Sequence, residues 1–127
     1  MDEARCADLV RYAISSAYEQ GDIVIVGRGG QAVLHNKPGV LHVRIIAPLE
    51  ERILRLREQG VIGVSQLKVN IADSDRASAE YLKRFFGISW DDPAQYHMIL
   101  NTGLLNLDAA ASIIAGAIKY LPPATAA

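Results

Sequence analysis

A run of four β-branched residues that ends on a glycine turn constrains the fold of this chain more than any other segment. The run covers residues 23–26, and the turn that follows is Gly27-Arg28-Gly29-Gly30. A strand with apolar side chains on both faces is typical of a parallel sheet covered by helices. Ligands of such sheets bind beyond the carboxyl ends of the strands. The sequence therefore predicts that the guanidinium of Arg28 lies where an anion binds, since a planar guanidinium is suited to clamping a phosphate.

The rest of the chain alternates helix and strand patterns. Helices are predicted over residues 2–19, 49–59, 64–86 and 107–121, and the third of these carries a candidate break at residues 73–75. Further strands are predicted at residues 41–47 and 96–101. The fold class is therefore α/β, with a short, mostly parallel sheet flanked by helices in three layers. We expect one domain over residues 1–121 and a flexible tail over residues 122–127.

Composition narrows the class of function. The 127 residues carry a net charge of −1, which argues against non-specific nucleic-acid binding because that needs a basic surface. Apolar runs are too short to span a membrane. Cys6 is the single cysteine, so no disulfide forms within the chain, and the basic start of a secretory leader is absent. These features predict a cytoplasmic protein that contacts neither nucleic acid nor membrane.

Other motifs favour ordinary structural roles when taken alone. Residues 27–32 match the dinucleotide fingerprint GxGxxG/A, but too few residues precede Pro38 for the helix that such a site needs. Glu51 and Arg55 have the spacing of a helical ion pair. The three histidines lack metal-ligand spacing and are interpreted as surface or strand residues. Trp90 and Tyr96 are interpreted as core anchors.

Taken together, several segments resemble the cytidylate kinase-like branch of the nucleoside monophosphate kinases. Their order and approximate spacing agree over most of the chain. The matching segments are Ile23-Val24-Ile25-Val26-Gly27-Arg28-Gly29, Ala47-Pro48-Leu49-Glu50-Glu51-Arg52, Asp75-Arg76-Ala77, Phe86-Gly87-Ile88-Ser89-Trp90-Asp91-Asp92-Pro93 and Tyr96-His97-Met98-Ile99-Leu100-Asn101-Thr102-Gly103. The resemblance implies a P-loop-kinase-like fold and a function in nucleotide or phosphate binding.

The resemblance also implies roles for individual residues. Arg28, between Gly27 and Gly29, corresponds to the arginine that holds the phosphate of the acceptor nucleotide. Arg52 is implied to lie near the donor nucleotide and the lid, and Asp75 on the lid side. Arg76 is implied to be catalytic, meeting the transferring phosphoryl group. Asn101 and Thr102 are implied to lie near the donor base. From the residues alone, Asp73, Asp75 and Arg76 equally fit a capping cluster between two helices.

The chain departs from the family in one large respect. No Gly-Lys dipeptide occurs in residues 1–127, so the glycine-rich P-loop with its lysine is missing. Phosphoryl transfer depends on that loop and on Mg²⁺. We therefore expect the chain to be inactive alone as an ATP:NMP phosphotransferase. It is expected to use ATP and Mg²⁺ only if a P-loop is supplied from elsewhere, and no metal site is expected in the chain itself.

The missing strand has an architectural consequence. In the family fold the P-loop strand lies between the strands that correspond to residues 23–26 and 41–47. Its loss leaves either a new pairing of those two strands or a gap, and a gap templates association. The expectation is a homo-oligomer, in particular a swapped or intertwined dimer. Three alternatives stay open: a non-catalytic regulatory or interaction module, half of a split kinase, and a gene model shortened upstream of Met1.

Overall fold

The computed structural model describes residues 3–60 and 63–122 of the chain. Five α-helices, two short strands and two 3-10 turns follow one another along it. They are α1 (Glu3–Gln20), α2 (Gly30–Val33), β1 (Val43–Ile46), α3 (Leu49–Glu58), α4 (Val64–Phe86), the 3-10 turn Pro93–Gln95, β2 (Met98–Asn101), α5 (Leu107–Ala117) and the 3-10 turn Ile118–Tyr120. The predicted fold class, a short parallel sheet flanked by helices, is confirmed.

The sheet consists of β1 and β2, which pair in parallel with Val43 opposite Met98 and Ile46 opposite Asn101. Hydrogen bonds extend the ladder by one residue at each end. At the carboxyl end, the Thr102 N–H donates to the Ile46 carbonyl oxygen at 2.8 Å. Parallel pairing places both carboxyl ends at the same edge of the sheet, where the turns into α3 and α5 begin.

The first predicted strand is not a strand of this sheet. Residues 23–26 have no regular secondary structure and form no ladder with any described residue. Val24 and Val26 are each 87% exposed, so the prediction of a strand buried on both faces is wrong. The prediction assumed strands on both sides of the segment, and the described part of the chain supplies neither.

The core that positions the carboxyl edge of the sheet lies between α3 and α4. Ile53 of α3 packs with Leu67 and Ile71 of α4, and Leu56 contacts the same cluster. Helix α4 is continuous, so the candidate break at residues 73–75 is wrong. A helix interior tolerates these polar residues because they lie on its surface or pair with another helix, as described below for Asp75.

The glycine turn after residue 26 is anchored on the carboxyl end of α4. Gly29 is buried with φ +79°, and an added Cβ there would lie 2.8 Å from Cε2 of Phe86. Only glycine combines this backbone conformation with such a close approach. The Arg11 guanidinium of α1 lies 4.7 Å from the centre of the Phe86 ring and donates to the Phe85 carbonyl oxygen. Helix α1, the turn and α4 therefore form one packed unit.

Two further properties belong to the described residues as a set. None of their helices is both long and apolar enough to cross a bilayer. Their His, Cys, Asp and Glu side chains form no group of three that could hold a metal ion. The predicted tail at residues 122–127 lies, apart from Pro122, outside the described residues.

Candidate functional site

The turn that carries Arg28 has an unusual backbone. Gly27, Arg28 and Gly29 all have positive φ, at 72°, 60° and 79°. Positive φ is unfavourable for a side chain such as that of Arg28, and such strain is often retained at binding sites. The Arg28 side chain is exposed and makes no hydrogen bond, ion pair or ring contact with any described residue. The backbone N–H groups of residues 27–29 likewise donate to no described acceptor.

The carboxyl edge of the sheet is closed by a second arginine, Arg55, which sequence reasoning did not place there. Arg55 donates to Oγ1 of Thr102 at 3.0 Å and to the Thr102 carbonyl oxygen at 2.7 Å. The predicted pair with Glu51 is present but longer, at 3.9 Å. Thr102 is only 5% exposed, so this contact fixes the turn after β2 on α3. No local pattern reveals a contact between residues this far apart in sequence.

Arg52 and Asp75, which the family resemblance assigned to the nucleotide site, are in contact with each other. Two parallel hydrogen bonds of 2.8 Å join the Arg52 guanidinium of α3 to the Asp75 carboxylate of α4. The hydrogen bonds from Arg52 lower the pKa of Asp75, against the opposing effect of partial burial. The same pairing raises the pKa of Arg52. In this structure the pair links the two helices.

The remaining predicted site residues make no hydrogen bond or ion pair with Arg28. Arg76 is on the surface of α4 and makes a 3.5 Å ion pair with Asp73, both about two-thirds exposed. Because both lie inside a continuous helix, the interpretation of a capping cluster is wrong. Asn101 turns its Oδ1 to the Gly103 N–H at 2.9 Å, where it stabilises the turn beside Thr102. The structure thus joins Arg52 with Asp75 and aligns Asn101 with Thr102, whereas Arg28 contacts none of them.

Two histidines meet at the amino end of the sheet. The rings of His42 and His97 are stacked with centroids 5.5 Å apart, and the His42 N–H donates to Nδ1 of His97 at 2.9 Å. Nε2 of His42 lies 3.2 Å from the Leu34 carbonyl oxygen, to which it donates as the protonated nitrogen. Burial lowers the pKa of His42. His42 is only 8% exposed, so it is a buried partner of the sheet and not a surface histidine.

Trp90 and Tyr96 serve as packing residues in the loop before β2. The Arg44 guanidinium lies 5.2 Å from the centre of a Trp90 ring, and the Tyr96 hydroxyl donates to the Trp90 carbonyl oxygen. Both side chains are half-buried. Arg44 therefore covers a face that a stacking platform would need to keep open, and neither Trp90 nor Tyr96 belongs to the buried core.

Comparisons with known proteins agree on one family. The model of the Cytidylate kinase-like family matches residues 1–104. The cytidylate kinase of Thermococcus kodakarensis is 28% identical over 107 residues, which cover 84% of this chain and 54% of that protein. The cytidylate kinase of Methanopyrus kandleri is 27% identical over 113 residues, covering 83% of this chain and 58% of that protein. The chain thus spans about half the length of the curated relatives it matches.

One solved structure supports the fold alone. The crystal structure of an uncharacterized protein from Eubacterium ventriosum superposes with a TM-score of 0.78 at 19% identity. The match covers 90% of this chain and 63% of that one. At this level of identity, structural similarity shows a shared arrangement of helices and strands and says nothing about the reaction or the ligand.

Proposed function

The chain belongs to the cytidylate kinase-like family, and we propose that it binds the phosphate of a nucleotide through Arg28 but does not transfer phosphoryl groups by itself. The observation that carries the proposal is the free guanidinium of Arg28 on its glycine-flanked turn. By contrast, the guanidinium of Arg52 is hydrogen-bonded to Asp75 and that of Arg55 to Thr102. A guanidinium without a protein partner is available for bidentate contact with phosphate oxygens.

The turn offers a second set of donors for the same anion. The N–H groups of Gly27, Arg28 and Gly29 are unpaired among the described residues. Consecutive backbone N–H groups in a tight turn are a common way to bind anions. A ligand bound here contacts one charged side chain and several main-chain groups. Both Arg28 and the backbone N–H groups therefore contribute to its affinity.

The other family-implied roles form part of the same proposal. Arg76 is proposed as the residue that meets the transferring phosphoryl group in a completed site, because its exposed side chain has only the 3.5 Å contact with Asp73. Arg52 and Asp75 are proposed to border the donor nucleotide, and Asn101 and Thr102 to approach its base. The last four side chains, unlike that of Arg76, each make a hydrogen bond within the fold. Contact with a nucleotide therefore requires that those hydrogen bonds be shared or exchanged.

Inactivity of the chain alone follows from the residues that phosphoryl transfer requires. Residues 1–127 contain no Gly-Lys dipeptide and therefore no Walker A lysine. That loop and Mg²⁺ neutralise the charge that develops on the transferring phosphoryl group. ATP and Mg²⁺ are proposed to act only when another segment or polypeptide supplies the loop. The single cysteine fits the proposed cytoplasmic location.

Calorimetry with CMP, dCMP and inorganic phosphate tests the binding proposal. Arg28→Ala removes charge-assisted hydrogen bonds worth about 1.5–3 kcal/mol, so binding should weaken about 10- to 100-fold. The matched control is Arg57→Ala, which removes an exposed arginine of α3 and should leave affinity unchanged. Equal affinity of the wild type and Arg28→Ala would contradict the proposal, and so would CMP phosphorylation by the wild type that Arg28→Ala abolishes.

A second function, as an assembly module, is favoured by the exposed segment at residues 23–26. Three of its four apolar side chains are more than half exposed, and unpaired strands promote association. The proposed partner is a second copy of this chain, giving a homodimer. This proposal is independent of phosphate binding by Arg28.

A further inference from the structure

We propose that residues 23–26 of one copy pair with the outer edge of β1 in a second copy, and that the reciprocal pairing completes a two-fold dimer. The outer edge of β1 is the edge that faces away from β2. The inference rests on the proposed self-association and specifies its surface. Two reciprocal contacts satisfy the symmetry of a homodimer, because each copy contributes the same two elements.

The donor element is the segment at residues 23–26. None of its backbone N–H or carbonyl groups is hydrogen-bonded to another described backbone group. Ile23 is 53% exposed, and Val24 and Val26 are 87% exposed. The segment therefore has the β-branched side chains and the free backbone groups of a strand that lacks a partner.

The acceptor element is β1. The Ile46 carbonyl oxygen accepts from Thr102, and the His42 carbonyl oxygen accepts from His97, so these alternate residues face β2. Because backbone groups alternate along a strand, those of Val43 and Ile45 point to the outer edge. Within residues 3–60 and 63–122 no strand other than β2 pairs with β1. The Ile45 side chain is 49% exposed.

The two elements do not pair within one copy, and the chain between them is held by contacts of its own. Gly29 packs against Phe86, and the Tyr18 hydroxyl donates to the Pro38 carbonyl oxygen at 2.9 Å. His42 is anchored to Leu34 at the start of β1. These contacts hold the ends of the connection on α4, on α1 and on the short α2 region. A second copy supplies a strand without disturbing any of them.

The exposed area of the chain is large enough for such an interface. A compact monomer of this mass, 13.8 kDa, exposes about 6,600 Å². This chain exposes 9052 Å², which is about 2,400 Å² more. Stable homodimers typically bury about 1,000–2,500 Å² on each copy. The excess is of the size that a stable homodimer buries, and the exposed residues of the two edges supply part of it.

Charge does not protect either edge. Soluble proteins commonly keep strand edges apart with lysine, proline or inward-pointing charges. Residues 23–26 carry no charge, and the one charged residue of β1, Arg44, lies against Trp90. The net charge of −1 adds almost no repulsion between copies.

Sedimentation of the full chain tests the proposal with a charge-exchange design. Val24→Lys and Ile45→Glu each place an unpaired charge in the interface, and each should raise the dimer dissociation constant about tenfold or more. In a 1:1 mixture of the two variants, one reciprocal contact joins Lys to Glu and the other is unchanged. The mixture should therefore form a heterodimer more readily than either variant forms a homodimer.

Val69→Lys is the matched control, because it charges a 52% exposed valine on α4 away from both elements and should leave the dimer intact. Circular dichroism establishes that each variant is folded. A wild type that stays monomeric, a dimer that both single variants leave unchanged, or a mixture without recovery overturns the proposal. Phosphate calorimetry on the wild type separates the two proposals. Phosphate binding by a wild type that stays monomeric rejects only the dimer, and a wild-type dimer that binds no phosphate rejects only the binding proposal.

Discussion

Replacing Gly29 with alanine should destabilise the fold by an amount that the structure divides into two parts. The first is the backbone conformation, since φ +79° costs an alanine about 1–2 kcal/mol. The second is steric, because the new Cβ would lie 2.8 Å from Cε2 of Phe86 and 3.2 Å from Cδ2 of Leu82. Overpacking of this kind costs about 1–3 kcal/mol. The total expected loss is about 2–5 kcal/mol of unfolding free energy.

Gly27→Ala is the matched control for the backbone part. Gly27 has nearly the same φ, +72°, but nothing lies within 4 Å of its added Cβ. We expect it to lose only the conformational part, so urea unfolding should show Gly29→Ala about 1–3 kcal/mol less stable than Gly27→Ala. The double variant Gly29→Ala/Phe86→Leu should recover part of that difference, seen as coupling in a double-mutant cycle. Equal destabilisation by the two alanines, with no coupling to Phe86, would refute this account of how the turn is anchored.

Two further predictions concern pH. Because Arg52 lowers the pKa of Asp75, the stability that the pair contributes is present above about pH 4 and is lost as the pH falls through the lowered pKa. Asp75→Asn should therefore lower the unfolding free energy by less than about 1 kcal/mol at pH 7, because both side chains of the pair are partly exposed. At acid pH it should have no effect. Urea midpoints that shift equally at pH 7 and pH 3 would contradict this. Because burial lowers the pKa of His42 below 6.5, stability should be complete above pH 6.5 and should decline as the pH falls below it. His42→Gln should remove that decline in thermal unfolding and the exposed His35→Gln should keep it, so the opposite pattern would count against a buried neutral His42.

Much of the fold follows from local sequence patterns. The helices predicted over residues 2–19, 49–59 and 64–86 match the positions of α1, α3 and α4 to within a few residues. The prediction for residues 23–26 was wrong about burial because a run of apolar residues records what a segment is suited to contact. It does not record whether that contact is present in the described part of the chain.

The candidate site was less accessible from sequence. Arg28 was identified because its glycine neighbours mark a special turn, and its exposure fits that interpretation. The Arg55–Thr102 and His42–His97 contacts join residues of separate elements, so no spacing rule points to them. The helical spacing of Glu51 and Arg55 already offered Arg55 a local partner, so nothing in the sequence pointed to its shorter contacts with Thr102. Whether the predicted site residues bind nucleotide stays a prediction.

The pairing of β1 with β2 also bears on the order in which the molecule folds. The two strands are 55 residues apart, so their pairing closes a long loop, whereas α3 and α4 are adjacent in sequence and pack through Ile53 and Leu67. Loop-closure entropy delays contacts between distant residues relative to contacts between neighbours. We therefore expect the contacts between α3 and α4 to form before the sheet does. During that interval both strands are open to intermolecular pairing, which makes the yield of refolded protein sensitive to its concentration.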